Sequence, residues 1–296
     1  MATDWETPQM AQGSGFAWSR LVIYGLLGFL ALVYLLPLVV MLLTSFKPLP
    51  EIYAGNILSL PKEWTIAPWI DAWERACVGL SCNGIKGYFW NSTKMTVLAV
   101  TLSTLIGLLN GYVLTKWKFK GADLLFGLML FSCFIPFQIV LIPMATVLGK
   151  MGIASSTTGL VFVHVVYGLC FTTLYARNYY MAFPDELIKA AMIDGAHFFK
   201  IFWRILLPSS GPIIVVAVIW QFTNIWNDFL FGASFSTGES APMTVALNNV
   251  VNTSTGERPY NVHMAAAMFA ALPTLLVYIF GGRYFVRGLM AGSVKG

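Results

Sequence analysis

Residues 186–208 read ELIKAAMIDGAHFFKIFWRILLP. The stretch holds Glu186, Lys189, Asp194, Lys200 and Arg204, and it lies between two long apolar runs, about 157–180 and 211–232. A polar, helix-forming piece in that position is a loop between two membrane crossings if the flanking runs span a bilayer. The fold class turns on that condition.

Composition meets it. Hydrophobic residues make up 57% of the 296, charged residues 10%, and the mean hydropathy is +0.72. A soluble domain carries about 25% charged residues, so this chain cannot cover a water-facing surface. Six apolar runs are present, roughly 20–46, 89–115, 122–147, 157–180, 211–232 and 263–286. Each reaches the ~20 residues that cross the hydrocarbon core as helix, the form in which a segment satisfies its own backbone hydrogen bonds. None shows the sustained alternation of a membrane β-barrel. The expected fold is therefore all-α: a polytopic membrane protein with six transmembrane helices. No repeat of 20–50 residues stands out, so residues 1–296 read as a single domain with an inside loop at 181–210 and outside loops at 47–88 and 233–262.

The N-terminal MATDWETPQMAQGSGFAWSR lacks the basic start and the cleavage site of a signal peptide, and the first run reads as a retained helix with Pro37 as a kink. With six spans and both termini in the cytoplasm, the basic cluster KWKFK at 116–120 falls inside, as the distribution of Lys and Arg in short loops requires. The net charge of +5 is then a matter of topology, and nucleic acid is not needed as a partner. Cys133 and Cys170 fall inside apolar runs as packing residues. Cys77 and Cys82 share the first outside loop, where a disulfide can form in an oxidising compartment; their spacing alone leaves the pairing open. No metal-ligand spacing appears among the cysteines and the three scattered histidines.

Within the inside loop, Pro184 suits a first helical turn, and Asp185 and Glu186 suit the positive end of the helix dipole. Leu187, Ala190, Ala191 and Asp194 follow along one side, and the alanines let another surface approach. Gly195 permits the turn out. Phe198, Ile201, Phe202 and Ile205 then recur at i, i+3, i+4 and i+7, and Pro208 closes the segment. Two helices this short need something to pack on. The choice is between an interfacial pair lying on the membrane or on its own bundle and a rigid docking element for a cytoplasmic partner.

The pattern Ala190-Ala191, three residues, Gly195, nine residues, Ile205-Leu206-Leu207-Pro208 resembles the EAA loop of membrane subunits of ABC importers, which reads EAA, three residues, Gly, nine residues, I-x-L-P. The Glu position holds Lys189. FKPLPEI at 46–52, FWNST at 89–93, IPFQIVLIP at 135–143, WNDFLF at 226–231 and GLMAGSVKG at 288–296 resemble carbohydrate-uptake permeases of the maltose-system second-permease type, with the glucose/mannose-type importers as nearest likeness. The resemblance implies an inner-membrane permease of a binding-protein-dependent, ATP-driven sugar importer, located in the bacterial cytoplasmic membrane. The loop would be the coupling helix in a cleft of the ATPase, through Glu186, Lys189, Ala190, Ala191, Asp194, Gly195, Ala196, Phe198, Phe199, Ile205, Leu207 and Pro208. It also implies as partners a second homologous permease in a heterodimer, two ATP-binding subunits and a periplasmic sugar-binding protein, alongside the lipid bilayer. This chain has no GxxxxGK[ST] phosphate loop, so ATP and Mg would sit on the partner ATPase and no cofactor on this chain.

No catalytic arrangement of Ser, Cys and His is present, and the chain reads as a transport subunit rather than an enzyme. Asp228 falls ~25 Å up its helix at 1.5 Å per residue. With Asn224, Trp226 and Asn227 it is either an anchored interfacial acid, part of a polar lining of the sugar path, or a contact to an external binding protein. Gln138, between Pro136 and Pro143, marks either a broken helix lining a cavity or a plain kink. His164 reads as an isolated core histidine. Gly107 and Gly111 form a small-xxx-small face, with Asn110 placed to bond across the bundle. The loop at 233–262, rich in Ser, Thr, Asn and Gly, is expected to be water-exposed and partly irregular, and by resemblance it would reach into a docked binding protein. The alternative reading is a secondary transporter or channel that works alone; the sequence shows no charged pair near mid-membrane of the kind such a protein uses.

Overall fold

The computed structural model describes residues 18–56, 58–117, 119–253 and 258–291. Among them the regular elements are helices, with one isolated antiparallel bridge between Val78 and Ser81. Four helices are long and apolar enough to cross a bilayer: α1 (Trp18–Ser45), α4 (Lys86–Lys116), α7 (Thr157–Met181) and α14 (Tyr260–Ala291). Two bent helix pairs bring the count of crossings to six if each is taken as one span. Pro37 and Pro273 lie inside α1 and α14 without ending them.

Two of the expected spans are broken. Residues 122–147 are not one straight span: α5 (Ala122–Ser132) and α6 (Phe137–Lys150) meet at 105°. The cause is Pro136, which lacks an N–H and pushes the residue before it out of helical geometry; it stands at φ −57°, ψ 130° as the cap of α6. Residues 211–232 are not one span either. Helix α11 (Gly211–Trp226) ends before Asn227, and α12 (Leu230–Phe235) starts afresh beyond Asp228.

The centre of the bundle is the α4–α7 pair. A Cβ placed on Gly111 would lie 2.6 Å from Ala176 Cβ and 2.8 Å from the Ala176 carbonyl carbon, and one on Gly107 would overlap Thr172. The small-residue face read from the sequence therefore lets two helices of this chain touch, backbone to backbone. Asn110 Nδ2 bonds Thr173 Oγ1 across the pair at 3.3 Å, Thr172 Oγ1 donates to the Ser103 carbonyl at 2.9 Å, and Gln221 Nε2 of α11 donates to Ser103 Oγ at 2.8 Å. In hydrocarbon such polar side chains need partners, and these find them in one another. Helix α14 packs on α11 and on α1, and α1 is exposed along most of its length.

At the end of the bundle away from residues 186–208, the connections fold into a cap. Short helices α2 (Leu49–Ala54), α3 (Ala67–Glu74) and α13 (Met243–Thr253) lie there. Ala72, Ile85, Met243, Ala246, Val250 and Ala265 form its core, with Trp69, Trp73 and Phe269 against them. The expectation of a water-exposed, partly irregular 233–262 is corrected for its middle: Met243, Ala246 and Val250 fall on one helical face and are buried, because the period-3.6 pattern inside the polar stretch outweighs its composition. Residues 254–257 lie outside the described residues. Cys77 and Cys82 are joined by a disulfide around the Val78–Ser81 bridge.

Candidate functional site

Residues 183–210 fold back onto the ends of α4 and α7. Pro184 caps α8 (Asp185–Ile193) instead of lying in its first turn, and Gly195 turns the chain out at φ +75°, a left-handed conformation that suits glycine. The second segment is a continuous rod made of α9 (Phe198–Ile201), a π turn (Phe202–Leu206) and α10 (Leu207–Ser209), which bends by 78° into α11. The Gly211-Pro212 pair accounts for the break at Ser210, since Pro212 has no N–H with which to continue the hydrogen-bond ladder of the preceding turn.

The rod is anchored by its apolar side. Ile201, Phe202 and Leu206 are buried with Leu108, Tyr112, Ala176, Tyr180 and Ile188. Phe198 stacks on Tyr112 at 4.7 Å and meets Trp117 edge-on at 5.0 Å. Polar ties add to this. Lys116 Nζ donates to the Phe183 carbonyl at 2.7 Å and to Asp185, and Tyr179 and Tyr180 reach Ser209 O and Ser210 Oγ at 2.7 Å each. Arg177 pairs with Asp123 at 3.4 Å and lies over the Phe126 ring, holding α5 to α7 at the same end. None of these ties was legible in the sequence, where Lys116 read only as a topological anchor.

The sequence candidates divide into two sets. Glu186, Lys189, Ala190, Asp194, Gly195, Phe199 and Pro208 are exposed. Ala191, Ala196, Phe198, Ile205 and Leu207 are partly buried against the bundle. Ala191 therefore does not share the free face expected for it. With Ile188 at i−3 it points inward, and Ala190 is the alanine that faces out. The open side is apolar as well as charged: Leu187 is 52% and Ile193 86% exposed, and Phe199 and Trp203 of the rod are exposed as well. An exposed apolar patch of this kind suits either a protein partner or the membrane surface.

Lys116→Met is expected to cost about 1–2 kcal/mol, the loss of charge-assisted bonds at a half-shielded site, and to loosen the start of α8. Limited proteolysis should then cut faster within residues 181–197. An unchanged cleavage rate would mean that Lys116 does not hold the loop.

The other candidates lie elsewhere. Gln138 is exposed just past the α5–α6 break, and Asn224 and Asn227 are exposed with their amide groups donating to Trp220 O and Thr223 O at 2.8 and 2.9 Å. Trp226 is corrected as a path residue: it is 2% exposed, and its Nε1 donates to the Ala270 carbonyl of α14 at 2.8 Å. Asp228 is corrected as well. Its carboxylate accepts from Phe231 N at 3.3 Å and Gly232 N at 3.1 Å, capping α12, and lies 3.7 Å from His164 Nε2 of α7. His164 is thus not isolated, and the chain does hold a buried acid–histidine neighbour pair that the sequence did not reveal. The carboxylate is committed to a helix end, which makes the pair a fixture of the α7–α12 contact.

The family described as "binding-protein-dependent transport system inner membrane component" matches residues 103–289. A probable ABC transporter permease of Pyrococcus horikoshii is 44% identical over 173 residues, 58% of this chain and 62% of that protein. An osmoprotective compounds uptake permease of Synechocystis sp. is 32% identical, with 94% of this chain and 93% of that protein covered. A xylose/arabinose import permease of Haloferax volcanii is 31% identical, with 91% and 92% covered. Among solved structures, a chain of a bacterial ABC transporter involved in import of the acidic polysaccharide alginate superposes with a TM-score of 0.78 at 19% identity, covering 90% of this chain and 96% of that one. That likeness bears on the fold.

Proposed function

The chain belongs to the inner-membrane components of binding-protein-dependent transport systems, and from that membership we propose that it is the permease subunit of an ATP-driven sugar importer. The relatives named as a xylose/arabinose import permease and as an arabinooligosaccharides transport system permease support sugar as the cargo class. The chain itself is a transport subunit and does no covalent chemistry. ATP and Mg belong to its ATP-binding partners, of which the assembled importer holds two. A second, homologous permease completes the pathway, and a periplasmic binding protein delivers the sugar to the cap. Gln138, Asn224 and Asn227 present exposed amides of the kind that bind hydroxyl groups, and they are the path residues of this reading.

The observation that carries the proposal is the face of α8. Leu187, Ala190, Ile193 and Asp194 are open, while α8 is tied to the bundle through Ile188 and the Lys116–Asp185 pair, and the following rod is tied through the stack of Phe198 on Tyr112. A short helix held that firmly transmits displacement instead of absorbing it, and its continuation through the 198–209 rod into α11 gives the motion a route into the membrane. The Cys77–Cys82 disulfide supports an oxidising compartment for the cap. The α8 end and both termini are then cytoplasmic.

The test is site-directed crosslinking in the assembled importer. Cysteines at Glu186, Ala190 and Asp194 should each crosslink to the ATP-binding subunit, while one at the buried Ile188 should not. Absence of crosslinks at all three exposed sites, with labelled sugar still accumulating, would remove the proposal.

A further inference from the structure

Lys47 is an unusual residue for its position. It lies two residues past the end of α1, at the cap end of the bundle, and is 2% exposed. Among the described residues no carboxylate pairs with it. Its ammonium group donates to Ser59 Oγ at 3.1 Å and reaches the Asn56 carbonyl at 3.5 Å. An ammonium carries three N–H groups, so among the described residues a neutral hydroxyl and a distant carbonyl leave both a donor and the charge uncompensated. A buried cation in that state is costly unless an anion joins it.

Space for such an anion adjoins it. A cavity of about 410 Å³ has Lys47 and Thr44 in its wall, together with the aliphatic side chains of Val40, Ile52 and Met264. Tyr53 and Tyr260 complete the wall, their rings edge to face at 6.1 Å, and Tyr53 hydroxyl donates to the Arg258 carbonyl. The cavity thus has one cationic end and an apolar body. It sits where α1, which is exposed along most of its length, leaves the bilayer. Tyr residues gather at that level of a membrane, and a lysine ammonium makes charge-assisted hydrogen bonds to phosphate oxygens of the kind a lipid head group carries. A soluble anion such as free phosphate would match Lys47 but not the aliphatic wall.

We propose that the Lys47 cavity is a binding site for a membrane phospholipid, with the phosphate of the head group on the Lys47 ammonium and Thr44 hydroxyl and the upper acyl chain along Val40, Ile52 and Met264. The bound lipid neutralises the buried charge and fastens α1 to α2 and α14. This inference requires a membrane but is independent of which solute the importer carries.

The experiment counts phospholipid retained per copy of this chain, by native mass spectrometry of the assembled importer purified in detergent. Wild type and Lys47→Arg should each retain one phospholipid that Lys47→Met loses. Met264→Trp fills the apolar body while leaving Lys47 in place, and it should lose the same lipid; this variant keeps the test valid if Lys47→Met fails to assemble. Equal retention in wild type and Met264→Trp would overturn the proposal, as would an importer whose partner subunit fills the cavity and leaves no lipid to lose. In a parallel arm, delipidated importer receives either phosphatidylglycerol or inorganic phosphate. Restoration of its thermal stability by phosphatidylglycerol alone supports the lipid, whereas equal restoration by inorganic phosphate would assign the site to a free anion and overturn the lipid.

Discussion

Replacing Ala190 with Trp should reduce labelled-sugar uptake by about ten- to a hundredfold, the effect of inserting a bulky group into a close-packed contact at about 1–3 kcal/mol, while leaving membrane insertion unchanged. Ala190 is exposed on α8, so the substitution disturbs nothing within the chain, and surface changes of that kind alter stability by about 0.5 kcal/mol or less. Its cost falls on the partner that must approach this face. Ala191→Trp provides the contrast: Ala191 packs against the buried cluster around Ile188 and Ile201, so the larger side chain should lower the amount of folded permease as well. The measurements are uptake, immunoblot of the membrane fraction and co-purification of the ATP-binding subunit. Wild-type uptake by Ala190→Trp would mean that this face of α8 is not engaged.

Gly111→Leu should abolish the folded protein. Its Cβ would sit 2.6 Å from Ala176 Cβ and 2.8 Å from the Ala176 carbonyl carbon, distances that side-chain rotation cannot relieve because one of the atoms is backbone. Overpacking costs about 1–3 kcal/mol where neighbours can yield, and here α4 and α7 would have to separate, breaking the Asn110–Thr173 and Thr172–Ser103 bonds with them. Gly28→Leu on α1 is the control, since nothing lies within 4 Å of its Cβ position. Size-exclusion profiles of fluorescently tagged variants in detergent should show a monodisperse peak for Gly28→Leu and aggregate for Gly111→Leu. A normal peak for Gly111→Leu would contradict the α4–α7 packing.

Much of this architecture was legible because hydrocarbon imposes simple demands. Length and apolarity gave the helices α1, α4, α7 and α14, and the AA-x-x-x-G spacing gave the α8 turn with Gly195 in its left-handed conformation. What could not be read depends on which side of a helix meets which neighbour. Ala190 and Ala191 are chemically identical in sequence, and only the inward pointing of Ile188 separates them. Pro136 and Pro143 are both prolines in one apolar run; the chain breaks at the first and continues through the second. Trp226 and Asp228 look like pathway residues in WNDFLF, yet one is buried against Ala270 and the other caps α12, because the helix stops between them. The 233–262 loop misled through composition: its serines and glycines flank a buried amphipathic helix whose three contact residues, Met243, Ala246 and Val250, are few enough to be lost among them.

The joining of α4 to α7 has a consequence for biosynthesis. The partners Asn110 and Thr173 are sixty-three residues apart in the chain, so at ordinary elongation speed the ribosome delivers the second about 3 to 13 s after the first. During that delay α4 has entered the translocon with its glycine groove and its amide unmet, and lipid is a poor substitute for both. The nascent permease is therefore most vulnerable to quality-control proteases before α7 arrives, and a chaperoning contact from the insertion machinery would be most useful during that interval.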